Sequence, residues 1–142
     1  MPTQKDSFMQ TIVLDTNCLL MTLPSSSPYH KVWEDILEGR ISLCVSTDIV
    51  MEYEEIISRK INPQIAQLVV ATILNTPLLK RVSPTFFYHL IKADPDDNKF
   101  VDCAICAGAE LIVTNDAHFN ILKTIKFPKV GFMTLQEFSR TK

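Results

Sequence analysis

The chain has 142 residues, of which 46% are hydrophobic and 21% are charged, and its formal net charge is −2 at pH 7. This length suits one compact domain, and this composition excludes a disordered chain. No apolar run approaches the roughly 20 residues of a membrane-spanning helix, and the polar start Met1–Gln10 lacks the layout of a signal peptide. We expect a single domain over residues 1–142, with its core at about 11–138, in the cytoplasm.

The first half of the chain alternates short apolar runs with helical patterns. The run Ile12-Val13-Leu14 is aliphatic and bounded by polar residues, which is typical of a buried strand. Ser46, Thr47 and Asp48 are alternative N-caps for the helix that follows the second strand. The predicted elements are strands at Thr11–Asp15 and Ile41–Val45 and helices at Asn17–Leu23, at His30–Glu38, from the caps to about Lys60, and at Gln64–Leu74.

The second half contains a less regular stretch before this pattern resumes. Leu78–Val82 and Tyr88–Ile91 are weak strand candidates, and Phe86–Ile91 fits a helix equally well. The predicted elements after this stretch are a helix at Asn98–Ala107, strands at Leu111–Thr114 and Val130–Met133, and a closing helix at Leu135–Arg140. Strands that alternate with helices indicate an α/β fold, a three-layer α/β/α arrangement with a central, mainly parallel sheet.

Cys103 and Cys106 have the C-x-x-C spacing of redox and zinc sites. No second pair follows at zinc-finger spacing, and both residues lie among apolar residues in a helical pattern. We therefore interpret them as small core residues in a reducing compartment.

The net charge of −2 argues against a simple nucleic-acid binder, since such proteins usually present a basic patch. A protein of this charge that acts on nucleic acid needs bound cations to supply the attraction.

Two predicted strands end in an aspartate. Asp15 is the last residue of the first predicted strand, and Asp116 follows the run Leu111–Asn115. Carboxylates at these strand ends converge in an open α/β sheet, because ligands bind outside the carboxyl ends of its strands. Asn17 could orient Asp15 or a water, and the Thr114 hydroxyl could hold a carboxylate. Alternatively, each aspartate only caps the helix that follows it.

The predicted helices supply further acids. Asp94, Asp96 and Asp97 are three acids within four residues at the start of one helix, which exceeds what a cap needs. The sequence does not decide among the three. Asp102 lies well around the helix from Asp97, so we interpret it as a solvated surface residue.

The helix that ends near Lys60 carries three glutamates. Glu52 and Glu54 border opposite sides of its apolar stripe about equally. Glu55 points outward and precedes Arg59 by four residues, as in a surface ion pair. Helix periodicity therefore does not decide whether Glu52 or Glu54 is the site residue.

Converging carboxylates cannot all stay ionised at close range without cations between them. Mg²⁺ or Mn²⁺ is the natural partner, because hard cations prefer oxygen ligands. Metal-assisted phosphodiester hydrolysis is the chemistry that such sites most often serve.

The ordered motifs resemble the PIN-domain family of metal-dependent ribonucleases, and within it the bacterial toxins of toxin–antitoxin pairs. The match runs from about Thr11 to Phe138. The motifs are Ile12-Val13-Leu14-Asp15-Thr16-Asn17, Glu52-Tyr53, Asp94-Pro95-Asp96-Asp97-Asn98-Lys99-Phe100 with Ala104–Ala109, and Leu111–Asp116. The resemblance favours Glu52 over Glu54 as the second acid.

It also favours Asp97 over Asp94 and Asp96 as the third acid. The catalytic and metal-binding residues that it implies are Asp15, Glu52, Asp97 and Asp116, with Asn17 and Thr114 in support. It further implies one or two Mg²⁺ or Mn²⁺ ions, single-stranded or structured RNA as substrate, a small antitoxin partner and a homodimer.

One stretch, Pro77–Lys92, matches no motif of the family. Its aromatic residues Phe86, Phe87 and Tyr88 could form core, a dimer surface or stacking partners for bases, and we favour core. We interpret His89 and His118 as surface or capping histidines.

Two other functions fit parts of the pattern. A catalytically inactive RNA- or protein-binding module is disfavoured because all four acids are present. A phosphotransfer protein is disfavoured because Asn17 stands where such proteins usually carry a second aspartate.

Overall fold

The computed structural model describes residues 10–141. The polar start, residues 1–9, on which the expectation of no signal peptide largely rests, lies outside the described residues, as does Lys142. The strands are β1 (Gln10–Leu14), β2 (Ile41–Val45), β3 (Lys80–Arg81), β4 (Leu111–Val113) and β5 (Phe132–Met133). The α-helices are α1 (Thr16–Thr22), α2 (His30–Leu37), α3 (Thr47–Lys60), α4 (Pro63–Leu74), α5 (Asn98–Ala107) and α6 (Leu135–Arg140), with 3₁₀ helices at Pro95–Asp97 and Ala117–Thr124.

All five strands pair in parallel, in the order β3-β2-β1-β4-β5. The central strand β1 pairs with both β2 and β4, and Ile12 lies opposite Leu43 on one side and Leu111 on the other. Helices flank this sheet, which confirms the predicted α/β fold. Because the strands are parallel, their carboxyl ends share one edge, and Asp15 and Asp116 follow neighbouring strands there.

The core and the helix ends follow the sequence pattern closely. Every residue of β2 is buried, as expected for a strand that is covered on both faces. Ser46 is the N-cap of α3, and its Oγ accepts from the backbone N–H of Ile49 at 3.3 Å. Gly39 and Gly108 follow the ends of α2 and α5 in the left-handed conformation, with φ of +77° and +65°.

The stretch before α5 differs from the prediction. Residues 82–92, all of which are described, form neither the strand Tyr88–Ile91 nor the helix Phe86–Ile91. Two backbone N–H groups of this segment donate to side chains of α5 and not to a neighbouring strand. The N–H of Tyr88 donates to Asp102, and that of Ile91 donates to Asn98.

The interpretation of Asp102 as a solvated residue was therefore wrong. This side chain is only 5% exposed, because the 82–92 segment covers it and donates a hydrogen bond to it. The same segment turns Phe86 and Phe87 outward, so the core assignment was wrong for both of them.

The cysteines are free thiols throughout the described chain. Cys103 is buried, as interpreted, but Cys106 is exposed, so its assignment to the core was wrong. Within residues 10–141, no helix has both the length and the apolar character needed to cross a membrane.

Candidate metal centre

One buried hydroxyl connects the ends of β1 and β4. Thr114 Oγ1 donates to Asp15 Oδ2 at 2.7 Å and accepts from the backbone N–H of Asp116 at 3.0 Å. Asp15 occupies the N-cap position of α1, but its side chain makes no capping hydrogen bond within the described structure. Burial raises the pKa of Asp15, and the hydrogen bond from Thr114 opposes that rise. The backbone N–H of Asn17 opposes the rise as well, so the carboxylate interacts both with the end of the neighbouring strand and with the start of α1.

Asp116 both caps a helix and faces the acidic edge. Its Oδ1 accepts from the backbone N–H of His118 at 2.9 Å, which caps the 3₁₀ helix Ala117–Thr124. The same Oδ1 lies 3.4 Å from His118 Nδ1. Both sequence interpretations of Asp116, as a cap and as a site residue, therefore remain compatible with its position.

Asp97 has the most perturbed environment among the acids of this edge. Its Oδ2 lies 3.6 Å from His118 Nδ1, which is too far for a hydrogen bond. This oxygen is buried and has no hydrogen-bond partner among the described residues. Burial, and after it the negative charges of Asp116 and Asp94, raises the pKa of Asp97 to about 7. An unpartnered buried carboxylate oxygen of this kind requires a proton or a cation.

Glu52 reaches the same edge from α3. Thr16 Oγ1 donates to Glu52 Oε2 in a short hydrogen bond, and Lys99 Nζ lies 2.7 Å from Glu52 Oε1. Glu54 is exposed on the same helix. The structure thus distinguishes the two glutamates, which periodicity could not do, because Glu52 contacts residues of α1 and α5 whereas Glu54 is exposed.

The four sequence-predicted acids Asp15, Glu52, Asp97 and Asp116 all lie near this edge of the sheet and affect one another's charge, but within the described residues no three of them bring ligand atoms within 4.8 Å of one another. The negative charges of Glu52 and Asp116 both raise the pKa of Asp15. The negative charges of Asp116 and Asp15 likewise both raise the pKa of Asp97. The edge therefore concentrates negative charge on rigid strand and helix ends.

Asn17, the predicted orienting residue, acts on Asp15 through its backbone, which lowers the pKa of Asp15, and not through its side chain. Its side chain is exposed, and its Oδ1 lies 3.5 Å from Lys60 Nζ. Thr16, the preceding residue, has the contact to an acid instead.

Sequence reasoning also missed two partners of the acids. His118 was interpreted as a surface or capping residue, but its imidazole lies beside both Asp97 and Asp116. Lys99 bridges Glu52 and Asp96, with its Nζ 3.1 Å from Asp96 Oδ1. The sequence could have indicated Lys99 as a partner of the acids, since it is the one basic residue within the acid-rich motif at residues 94–100.

The potential metal ligands that the described structure brings closest together share only Asp97 with the predicted set. One atom each from Asp94, Asp97 and His118 lies within 4.8 Å of the other two. Asp94 is half-buried, and its Oδ1 accepts from the backbone N–H of Asp96 at 3.2 Å. Asp97 belongs to both sets and is therefore their common point.

The donor set fits a divalent cation. Its atoms are mainly carboxylate oxygens, with one imidazole nitrogen at the side, which suits Mg²⁺ or Mn²⁺. The buried and unpartnered Asp97 Oδ2 is the structural observation that supports this fit.

Comparisons with known proteins agree with this picture. A family model described as PIN domain matches residues 11–118. No curated protein is significantly similar to the chain in sequence.

Three solved structures share the fold. A chain from the crystal structure of VapBC2 from Rickettsia felis, bound to a DNA fragment from its promoter, matches with a TM-score of 0.61 and 17% identity, over 87% of this chain and 98% of that one. A chain from DNA-bound VapBC of Salmonella typhimurium matches with a TM-score of 0.58 and 18% identity, over 89% of this chain and 99% of that one. The PIN domain endonuclease Utp24 matches with a TM-score of 0.51 and 21% identity, over 87% of this chain and 84% of that one.

Proposed function

This chain belongs to the PIN-domain family, and from that membership we propose that it is a divalent-metal-dependent nuclease that cleaves single-stranded or structured RNA. The observation that carries the proposal is the buried Oδ2 of Asp97, which has no hydrogen-bond partner within residues 10–141 although three other acids lie around it. Such a group is stable when protonated, and in its ionised form it needs a positive charge nearby, which a bound cation would supply.

Asp15, Glu52, Asp97 and Asp116 are the residues that we propose hold one or two Mg²⁺ or Mn²⁺ ions. When bound, such ions neutralise the carboxylates, activate water for attack on phosphorus and stabilise the leaving oxygen. Two divalent ions would add four positive charges and change the formal net charge of −2 to +2, which removes the repulsion of a polyanionic substrate.

The neighbouring side chains position these acids. Thr114 fixes one oxygen of Asp15 from the end of the adjacent strand. Thr16 and Lys99 each hold a different oxygen of Glu52, so this carboxylate has a defined orientation. Preorganisation of this kind reduces the rearrangement that is needed when substrate binds.

We further propose that the protein is the toxin of a toxin–antitoxin pair. Its motifs resemble those of the bacterial toxin subgroup, and its fold is similar to chains of two VapBC complexes. A small antitoxin would then cover the acidic edge. The protein would be cytoplasmic and form a homodimer.

The deciding experiment is cleavage of labelled single-stranded RNA by the purified protein in Mn²⁺, in Mg²⁺ and in chelator. An Asp15→Asn variant purified in parallel controls for contaminating nuclease. Cutting that needs metal and is lost in the variant supports the proposal. RNA that is bound but not cut in either metal would instead favour a catalytically inactive RNA- or protein-binding module.

A further inference from the structure

A cleft adjoins the acidic edge on the side of Lys99. It has a volume of about 480 Å³, within the range of sites for small ligands. Its walls come from the start of α3, from the 82–92 segment and from the start of α5. Lys99 lines the cleft and also contacts Glu52. Asp96 and Asn98 of its wall flank Asp97 in the chain, so the cleft adjoins the proposed metal centre.

The irregular wall of this cleft is fixed in place. Tyr88 N–H donates to Asp102 Oδ1 at 3.1 Å, and the Asn98 side chain makes two 2.8 Å hydrogen bonds with the backbone of Ile91. Between these anchors, His89 adopts a left-handed conformation with φ of +54°. Such a conformation costs free energy for a residue with a Cβ, and it persists where the surrounding contacts require it. The segment is therefore a preformed surface.

Phe87 is an exposed aromatic residue in the wall of the cleft. It lines the cleft and is 54% exposed. Its neighbour Phe86 is 65% exposed, but it is not among the described residues that line the cleft, and its ring lies 4.6 Å from that of Tyr88. An exposed phenylalanine beside a polar cleft provides a flat apolar face for a flat ligand.

The charges of the cleft select the kind of ligand. Asp48, Asp96 and Asp102 all line it, and its cation Lys99 is already paired with Glu52 and Asp96. This balance disfavours a phosphate inside the cleft. It favours an uncharged flat group with hydrogen-bond donors, which describes a nucleobase with an amino group.

We propose that this cleft binds a base of the RNA substrate, next to the cleaved phosphate, by stacking that base on Phe87. The proposal rests on the proposed function and deepens it, because the cleft then selects which nucleotide lies beside the metal centre. Base–aromatic stacking of this kind is the usual way in which single-stranded RNA is held.

The test is binding of a fluorescently labelled single-stranded RNA of mixed sequence, followed by anisotropy in Ca²⁺. Phe87→Ala should weaken binding by about tenfold, the order expected for the loss of one base–aromatic stack. Phe87→Tyr should retain the affinity. Phe86→Ala is the matched control, since it removes a ring that is at least as exposed but does not line the cleft, and it should stay within about twofold of the parent.

Equal affinities of the parent, Phe87→Ala and Phe86→Ala would overturn the proposal, as would an absence of RNA binding by the parent. In Mn²⁺, the cleavage positions on a long RNA should become less base-selective in Phe87→Ala. Failure of the nuclease assignment looks different, because RNA would then bind in a Phe87-dependent way without being cut. If the protein cleaves RNA, but Phe87→Ala changes neither its affinity for RNA nor its cleavage positions, the base-binding cleft alone is refuted.

Discussion

Lys99 and Glu52, 47 residues apart in the chain, form an ion pair with 2.7 Å between Nζ and Oε1. Their side chains are only 19% and 15% exposed, so solvent screens the pair less than it would a surface pair. The ammonium group thus already neutralises one acid of the proposed metal centre, whereas Asp97 Oδ2 has no hydrogen-bond partner among the described residues and lies 3.6 Å from the titratable imidazole of His118.

Replacing Lys99 with methionine should therefore strengthen metal binding. The change removes a positive charge that repels an incoming divalent cation. Even at the dielectric constant of water, about 80, and a separation of about 10 Å, this repulsion is about 0.8 kcal/mol, so we expect roughly fourfold or greater tightening for Mn²⁺. Isothermal titration calorimetry on Lys99→Met and the parent measures this directly. Weaker Mn²⁺ binding in the variant would contradict the competition between ammonium and metal.

Glu52 and Glu54 provide a matched pair on one helix. Glu52→Gln should lower RNA cleavage by roughly 100-fold or more, since even residues behind the metal ligands commonly contribute 10- to 100-fold. Glu54→Gln, an exposed change of the same chemistry two residues away, should leave the rate within about twofold. Initial rates in Mn²⁺ test the pair, and similar losses in both variants would remove Glu52 from the site.

Thr114→Val should affect both stability and activity. This near-isosteric change leaves Asp15 without its hydroxyl donor and the Asp116 N–H without its acceptor, so we expect a loss of about 1–3 kcal/mol in the free energy of unfolding. RNA cleavage should fall by roughly 10- to 100-fold because Asp15 is no longer held.

A suitable control for that variant is Thr22→Val. Thr22 is equally buried, but its hydroxyl donates only to the carbonyl of Leu19 within α1. Cleavage by Thr22→Val should match the parent. If Thr114→Val also matched it, the hydroxyl would have no part in holding the site.

The metal-free protein should lose stability as the pH rises. Burial is the largest factor raising the pKa values of Asp15, Asp97 and Asp102, and that of Asp97 reaches about 7. A carboxyl group whose pKa is higher in the folded state contributes stability that is present below its ordinary pKa of 3.8 and is lost as the pH passes its folded value.

Thermal melting in chelator should therefore give a higher Tm at pH 5.5 than at pH 7.5. Asp97→Asn should reduce this difference, because an amide does not titrate. Adding Mn²⁺ at pH 7.5 should raise the Tm of the parent by binding to the folded state. A metal-free Tm that increases from pH 5.5 to 7.5 would show that other groups dominate.

Expression of the chain alone should slow bacterial growth if the toxin proposal holds. Asp15→Asn should abolish both the growth arrest and metal binding, since Asp15 lies at the carboxyl end of the central strand. Growth curves of the two strains at matched protein levels give the comparison. A variant as toxic as the parent would exclude metal-dependent cleavage as the cause.

Much of the fold could be predicted because it depends on local signals. The consecutive aliphatic residues of β1 and β2, and the glycines after α2 and α5, act within a few residues of the chain. The strand-end positions of Asp15 and Asp116 followed from the same logic, since parallel strands bring their carboxyl ends to one edge.

The remainder depended on contacts between distant segments. Asp102 is buried because the irregular 82–92 segment lies over it, and no periodicity within α5 could indicate that cover. Likewise, Glu52 differs from Glu54 only through Thr16 and Lys99, which belong to other elements. The role of His118 beside Asp97 has the same origin, since 21 positions separate the two residues in the printed sequence.

The lengths of the outer strands restrict how copies of this protein can assemble. β3 and β5, at the two edges of the sheet, have two residues each, and both residues of β3 are exposed and positively charged. Such edges offer little backbone for pairing with another chain. A homodimer is therefore not expected to continue the sheet from one subunit into the next. The contacts between the two subunits would come from helices and loops. Substitutions at such contacts would not disturb the strands that carry the acids.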